Sequence, residues 1–178
     1  MKLKRVFGIG IAMALMAPIG VLSAQPAGAA TVLTCAKPSG FVTFSPGLGT
    51  TPKIQTTSFS LPVKTCKGTP GVTSGTSKGS TKGTKPSTCG SLAAGATKTA
   101  VKITWNNLKT STSTLSTSIV KGAPGVITAS VVGKISAGLF MGKTIRTKVK
   151  VTIPPGSCSD AKPLKKATLT GLAPLTIG

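Results

Sequence analysis

Residues 145–153 read Ile145-Arg146-Thr147-Lys148-Val149-Lys150-Val151-Thr152-Ile153. Ile145, Val149, Val151 and Ile153 fall on one side of an extended chain, and Arg146, Lys148 and Lys150 fall on the other. Successive side chains of a strand point to opposite faces, so this alternation marks a strand with one face in a core and one in water. The same period recurs upstream. Val101, Ile103 and Trp105 alternate with Lys102 and Thr104; Leu115, Thr117 and Ile119 share a face; Ile127, Ala129, Val131 and Ile135 line one side of the next run.

Between these runs stand turn formers: Ser45-Pro46-Gly47, residues 121–125 (Lys-Gly-Ala-Pro-Gly) and Pro154-Pro155-Gly156. Thr, Ser, Val, Gly and Ile dominate, and helix signals are almost absent. Seven to nine short strands with one polar face each argue for an antiparallel sandwich or a small barrel. The expectation is an all-β, single-domain antiparallel sandwich, Ig-like or a similar Greek key. A lipid-spanning barrel does not fit, because the chain has no Tyr and one Trp and so lacks material for aromatic girdles. Trp105 and the phenylalanines Phe41, Phe44, Phe59 and Phe140 are expected in the core.

Residues 67–88 differ from their surroundings. They are Lys, Gly, Thr, Ser and Pro, with Val72 the only sizeable apolar residue apart from the flanks. A stretch of that composition has little to bury and is expected to be a flexible loop.

The chain opens with Lys2, Lys4 and Arg5, runs without charge from Val6 to Ala24, and reaches Ala27-Gly28-Ala29. That order is an export signal with a small-residue cleavage site, so residues 1–29 are expected to be a cleaved signal peptide and residues 30–178 the secreted domain. The four cysteines, Cys35, Cys66, Cys89 and Cys158, then read as two disulfides. Three pairings are open. Cys66–Cys89, stapling the base of the flexible stretch, together with Cys35–Cys158, tying an early strand to a late one, is the expectation.

Lys and Arg number 22 against a single acid, Asp160, and three of those bases precede the cleavage site. The exported part therefore holds 19 bases and one acid, a net charge of about +18. Such a surface attracts polyanions. Arg146, Lys148 and Lys150, about 6.8 Å apart on one strand face, are the candidate anion-binding residues.

Catalysis has little to work with. General acid–base chemistry needs a group that titrates near working pH, and the chain has no His, no Tyr, no Glu and one Asp. Carboxylate pairs, imidazole-based triads and carboxylate or imidazole metal sites cannot be assembled. Ser159-Asp160-Ala161-Lys162 matches Ser-x-x-Lys, but in a turn-rich context where the two side chains need not meet. No enzyme activity, metal or cofactor is expected.

Three blocks carry a resemblance: Ser45-Pro46-Gly47-Leu48 after a Cys-containing strand, a strand ending Ile103-Thr104-Trp105, and the glycine-spaced run from Gly133 to Gly142. Through them most of residues 31–178 resembles a group of uncharacterised small secreted β-rich proteins of actinobacteria. The resemblance implies export and a β fold, and supplies no catalytic residue. The Lys-rich stretch and the near absence of acids depart from it.

These readings converge on a secreted or cell-surface, basic, disulfide-containing domain that binds anionic cell-wall polymers or lipid head groups. Nucleic acid would be bound only non-specifically, and no small-molecule substrate is expected. The alternatives are a cationic antimicrobial or toxic protein acting on anionic membranes, and a self-associating extracellular structural protein.

Overall fold

A computed structural model describes residues 31–93, 96–122 and 125–178. The expected signal peptide, residues 1–29, lies outside them. The described strands are β1 (Leu33–Cys35), β2 (Ser39–Leu48), β3 (Thr56–Val63), β4 (Gly75–Lys82), β5 (Ala96–Trp105), β6 (Thr110–Lys121), β7 (Val126–Gly138), β8 (Thr144–Thr152), β9 (Leu164–Gly171) and β10 (Leu175–Ile177). A short 3₁₀ turn, Gly90–Ala93, is the only described helical element.

Every pairing is antiparallel, and each long strand pairs with the next in sequence. β1 and β2 run as one bent stave along β10 and β9: Leu33 faces Ile177, and after the break at Ala36-Lys37-Pro38, Ser39 faces Thr170. β9 and β10 likewise lie end to end along β8, Val149 facing Gly171 and Ile145 facing Ile177. The last stave thus returns to the first, and the sheet closes into an eight-stranded antiparallel barrel.

This overturns the expected Ig-like or Greek-key sandwich. The order of staves is a simple meander in which every stave has a partner on each side, although β4 and β5 pair only as far as Gly79 and Val101. A sandwich and a barrel share the same alternation of buried and exposed residues, so alternation cannot choose between them. The choice is made by long staves such as β6 and β7 and by register shifts that let the sheet coil, at Thr112/Ser113 and between Thr43 and Leu48.

The flexible loop expected at 67–88 is also corrected, because its centre is β4. Ser77, Gly79 and Thr81 point inward there, while Lys78, Ser80 and Lys82 point outward. β4 pairs with β3 along its whole length and with β5 from Gly75 to Gly79. Its inward residues are small and hydroxylated, so the strand alternates without looking hydrophobic.

That geometry also decides the cysteines. Cys35 bonds Cys66, and Cys89 bonds Cys158, so the expected Cys66–Cys89 and Cys35–Cys158 pairs do not form. β4 carries the chain from one end of the barrel to the other between Cys66 and Cys89, a strand about 24 Å long at the usual rise. Each end therefore closes its own bond.

The end that holds both chain termini of the barrel, here the lower end, is packed solid. Leu33, Val63, Ile103, Trp105, Ile135 and Ile177 are buried there. Trp105 donates from Nε1 to the Ser111 hydroxyl at 2.8 Å, and the Phe140 ring meets it edge-on, 5.5 Å between centroids. A second cluster with Val42, Phe44, Leu48, Val149, Leu164 and Leu169 lies toward the upper end. Phe44 and Trp105 are buried, whereas Phe41 is 38 % exposed and not in the core, because it lies on the outward side of β2.

Candidate functional site

Two regions could meet a ligand, the outer wall and the barrel interior. On the outer wall Arg146 and Lys148 are exposed and Lys150 is half-buried. The alternation of β8 sends all three outward, as their sequence pattern requires. Across the sheet Arg146 lies opposite Val132, Lys148 opposite Ser130, and Lys150 between Thr128 and Thr170. The neighbours are uncharged, so the stripe keeps its field.

The stripe has company. Lys78 and Lys82 on β4, Lys98 and Lys102 on β5, Lys134 on β7 and Lys165 and Lys166 on β9 are also exposed. Lys78 and Lys102 are direct cross-strand neighbours, an arrangement of like charges that costs stability. Lys166 places its ammonium 4.3 Å from the centre of the Phe41 ring, where the π face attracts it. Cations thus project from staves around the barrel and form no single groove.

The one acid is engaged elsewhere. Asp160 accepts from the backbone amides of Thr50 and Thr51, at 2.9 and 3.0 Å, and from both their hydroxyls, at 2.7 and 2.6 Å. The Thr51 hydroxyl and amide, then Thr50, hold its carboxyl far below the usual carboxylate range. This contact joins two of the upper loops. A bridge between Lys53 and Ser87, the Cys89 amide donating to the Gly49 carbonyl, and the Cys89–Cys158 bond draw in a third. Together these loops form a cross-tied cover at the upper end, with Leu92 beneath it facing the interior.

Beneath these loops the barrel interior holds a cavity of about 380 Å³, open to solvent in part, since the lining residues Ser91 and Thr97 are exposed. All eight staves contribute to its wall, and no lining side chain is ionisable. The apolar side chains face in and the polar ones out, Leu115 against Ser116 and Val149 against Lys148. A lipid-spanning barrel has the reverse arrangement. Among the described residues no helix is long and apolar enough to cross a membrane.

Ser159 and Lys162 are brought together through the backbone, since the Lys162 amide donates to the Ser159 hydroxyl at 3.0 Å. The Lys162 ammonium instead lies beside Gly156. The hydroxyl is the acceptor of a turn, and among the described residues it makes no hydrogen bond to that ammonium. Sequence reasoning missed the cavity. Its only trace was the alternation of Ser77, Gly79 and Thr81 with Lys78, Ser80 and Lys82 in a stretch too polar to look like a strand.

The chain matches no protein-family model, no curated protein and no solved structure.

Proposed function

We propose that this protein is a secreted, non-enzymatic cationic barrel that adheres to anionic polymers or lipid head groups of the cell envelope. The two disulfides point to an oxidising, extracellular setting, which agrees with an export signal at residues 1–29. The observation that carries the reading is the outer wall. Arg146, Lys148, Lys78, Lys102, Lys134 and Lys166 project from five different staves, and the single carboxylate is consumed by Thr50 and Thr51. A polyanion of any local shape can then engage several cations at once, and affinity rises with the number engaged.

Adhesion of this kind is electrostatic and weakens with salt. Retention of the protein on purified cell wall and on phosphatidylglycerol vesicles, followed across a salt series, tests it. Strong retention at low salt that falls steadily as salt rises is expected, and Arg146→Ala with Lys148→Ala should cost only part of it. Absence of retention at low salt overturns the proposal. Retention accompanied by dye release from the vesicles would move the reading to a membrane-active toxin. Outward strand faces of Thr, Ser and Lys offer little to insert into lipid, so release is not expected.

A further inference from the structure

We infer that the barrel interior is a binding site for one uncharged, mainly apolar small molecule that carries a hydroxyl or carbonyl group. Eight-stranded barrels have an interior that either fills with their own side chains or holds one small ligand. Here small residues at inward positions, Ser77, Thr99 and Ala129, leave about 380 Å³ empty, within the range of ligand pockets.

The wall is two-sided. β7, β8 and β9 supply Ile127, Ala129, Val149, Val151 and Leu169. The staves across the barrel, β4 and β5, supply Ser77, Thr81, Thr97 and Thr99. Among the described residues no side-chain polar atom is sealed off without a partner. Ser77 is 4 % exposed, makes no side-chain hydrogen bond among the described residues, and lines the cavity, so its hydroxyl opens onto it. An apolar stretch of wall facing a hydroxyl-bearing one matches a molecule with a hydrocarbon body and a neutral polar group on one side.

Charge selects against other ligands. An ion taken into this cavity would leave water with no counter-ion to meet it, a large penalty. Anions are drawn to the outer wall instead. The interior and the exterior therefore take opposite classes of molecule, and this separation is what an experiment can read.

The test titrates the full protein with the neutral dye N-phenyl-1-naphthylamine and with its anionic relative 8-anilino-1-naphthalenesulfonate, at low and high salt. The neutral dye should bind saturably, one per barrel, equally at both salt levels. Ala129→Phe on one wall and Thr99→Phe on the other should each weaken it by roughly tenfold or more, while Arg146→Ala with Lys148→Ala leaves it unchanged. Unsaturable binding, binding that falls with salt, or binding that follows the outer-wall substitutions overturns the inference. So does undiminished binding in either Phe variant that melts as the parent does. If neither variant folds, the stoichiometry and salt response of the unsubstituted protein decide.

Discussion

Gly75 on β4 is the cross-strand partner of Trp105 on β5, and a β-carbon at position 75 would stand 2.7 Å from the indole Cε3. The glycine is the space in which the largest core side chain lies. The device recurs: Gly79 faces Phe59 and Gly133 faces Leu115, each with a β-carbon position 2.6 Å from the partner's side chain. Large side chains roofing over glycines let neighbouring staves approach and coil.

Gly75→Ala should therefore force Trp105 out of place. Overpacking of a well-filled core typically costs about 1–3 kcal/mol, read as a lower urea midpoint with Trp105 fluorescence as the probe. The control is Gly90→Ala, where only the Thr88 hydroxyl lies within reach, at 3.7 Å. It should change stability by less than about 0.5 kcal/mol. Equal midpoints for the two variants would contradict this account of Trp105.

The disulfides close loops at opposite ends, with sequence separations of 31 and 69. Replacing either pair by serine should cost roughly 3–5 kcal/mol through the greater freedom of the unfolded chain. The two costs should add, because the bonds share no partner. Peptide mapping of the unreduced protein should recover Cys35 joined to Cys66 and Cys89 joined to Cys158. Recovery of Cys66 joined to Cys89 would mean that β4 does not span the barrel.

Asp160 sets a pH response of known sign. Its carboxyl is more acidic folded than unfolded, so the stability it contributes is complete above the ordinary carboxylate value of about 3.9. That stability then declines as pH falls toward the depressed folded value. Between neutral pH and about 5 the melting temperature should not move on account of this group. Asp160→Asn should melt lower than the parent at neutral pH, with the gap narrowing below about pH 4. A gap that persists unchanged into strong acid would show that the Thr50 and Thr51 contacts do not depend on the charge.

β4 itself can be checked by hydrogen exchange and proteolysis. Amides of residues 76–79 sit between two paired neighbours and should exchange slowly, on the timescale of global opening. Trypsin should spare Lys78 and Lys82 in the native protein. Cleavage at Lys78 under native conditions would return the segment to a loop.

The alternation in residues 145–153 was enough to place Arg146, Lys148 and Lys150 outward and Ile145 and Val149 inward, and the structure agrees. Trp105, Ile103 and Val101 were legible for the same reason. β4 was not, because its inward residues are Ser77, Gly79 and Thr81, and a search for apolar periodicity passes over small hydroxylated ones. Phe41 misled in the opposite sense. Its ring is apolar, yet its place on the outward side of β2 leaves it under Lys166.

Local pattern alone determined that the described part of the chain is all-β, which side of most strands meets water, that the cysteines pair, and that the surface is cationic, since each follows from residue types and a period of two. The tertiary structure alone decided that the sheet closes, which cysteines meet, and that space remains inside. Those are outcomes of pairing between residues far apart in sequence: whether β9 reaches β2, and whether a glycine stands opposite a tryptophan. A strand's own residues record the faces it shows, but not which neighbour will lie beside it.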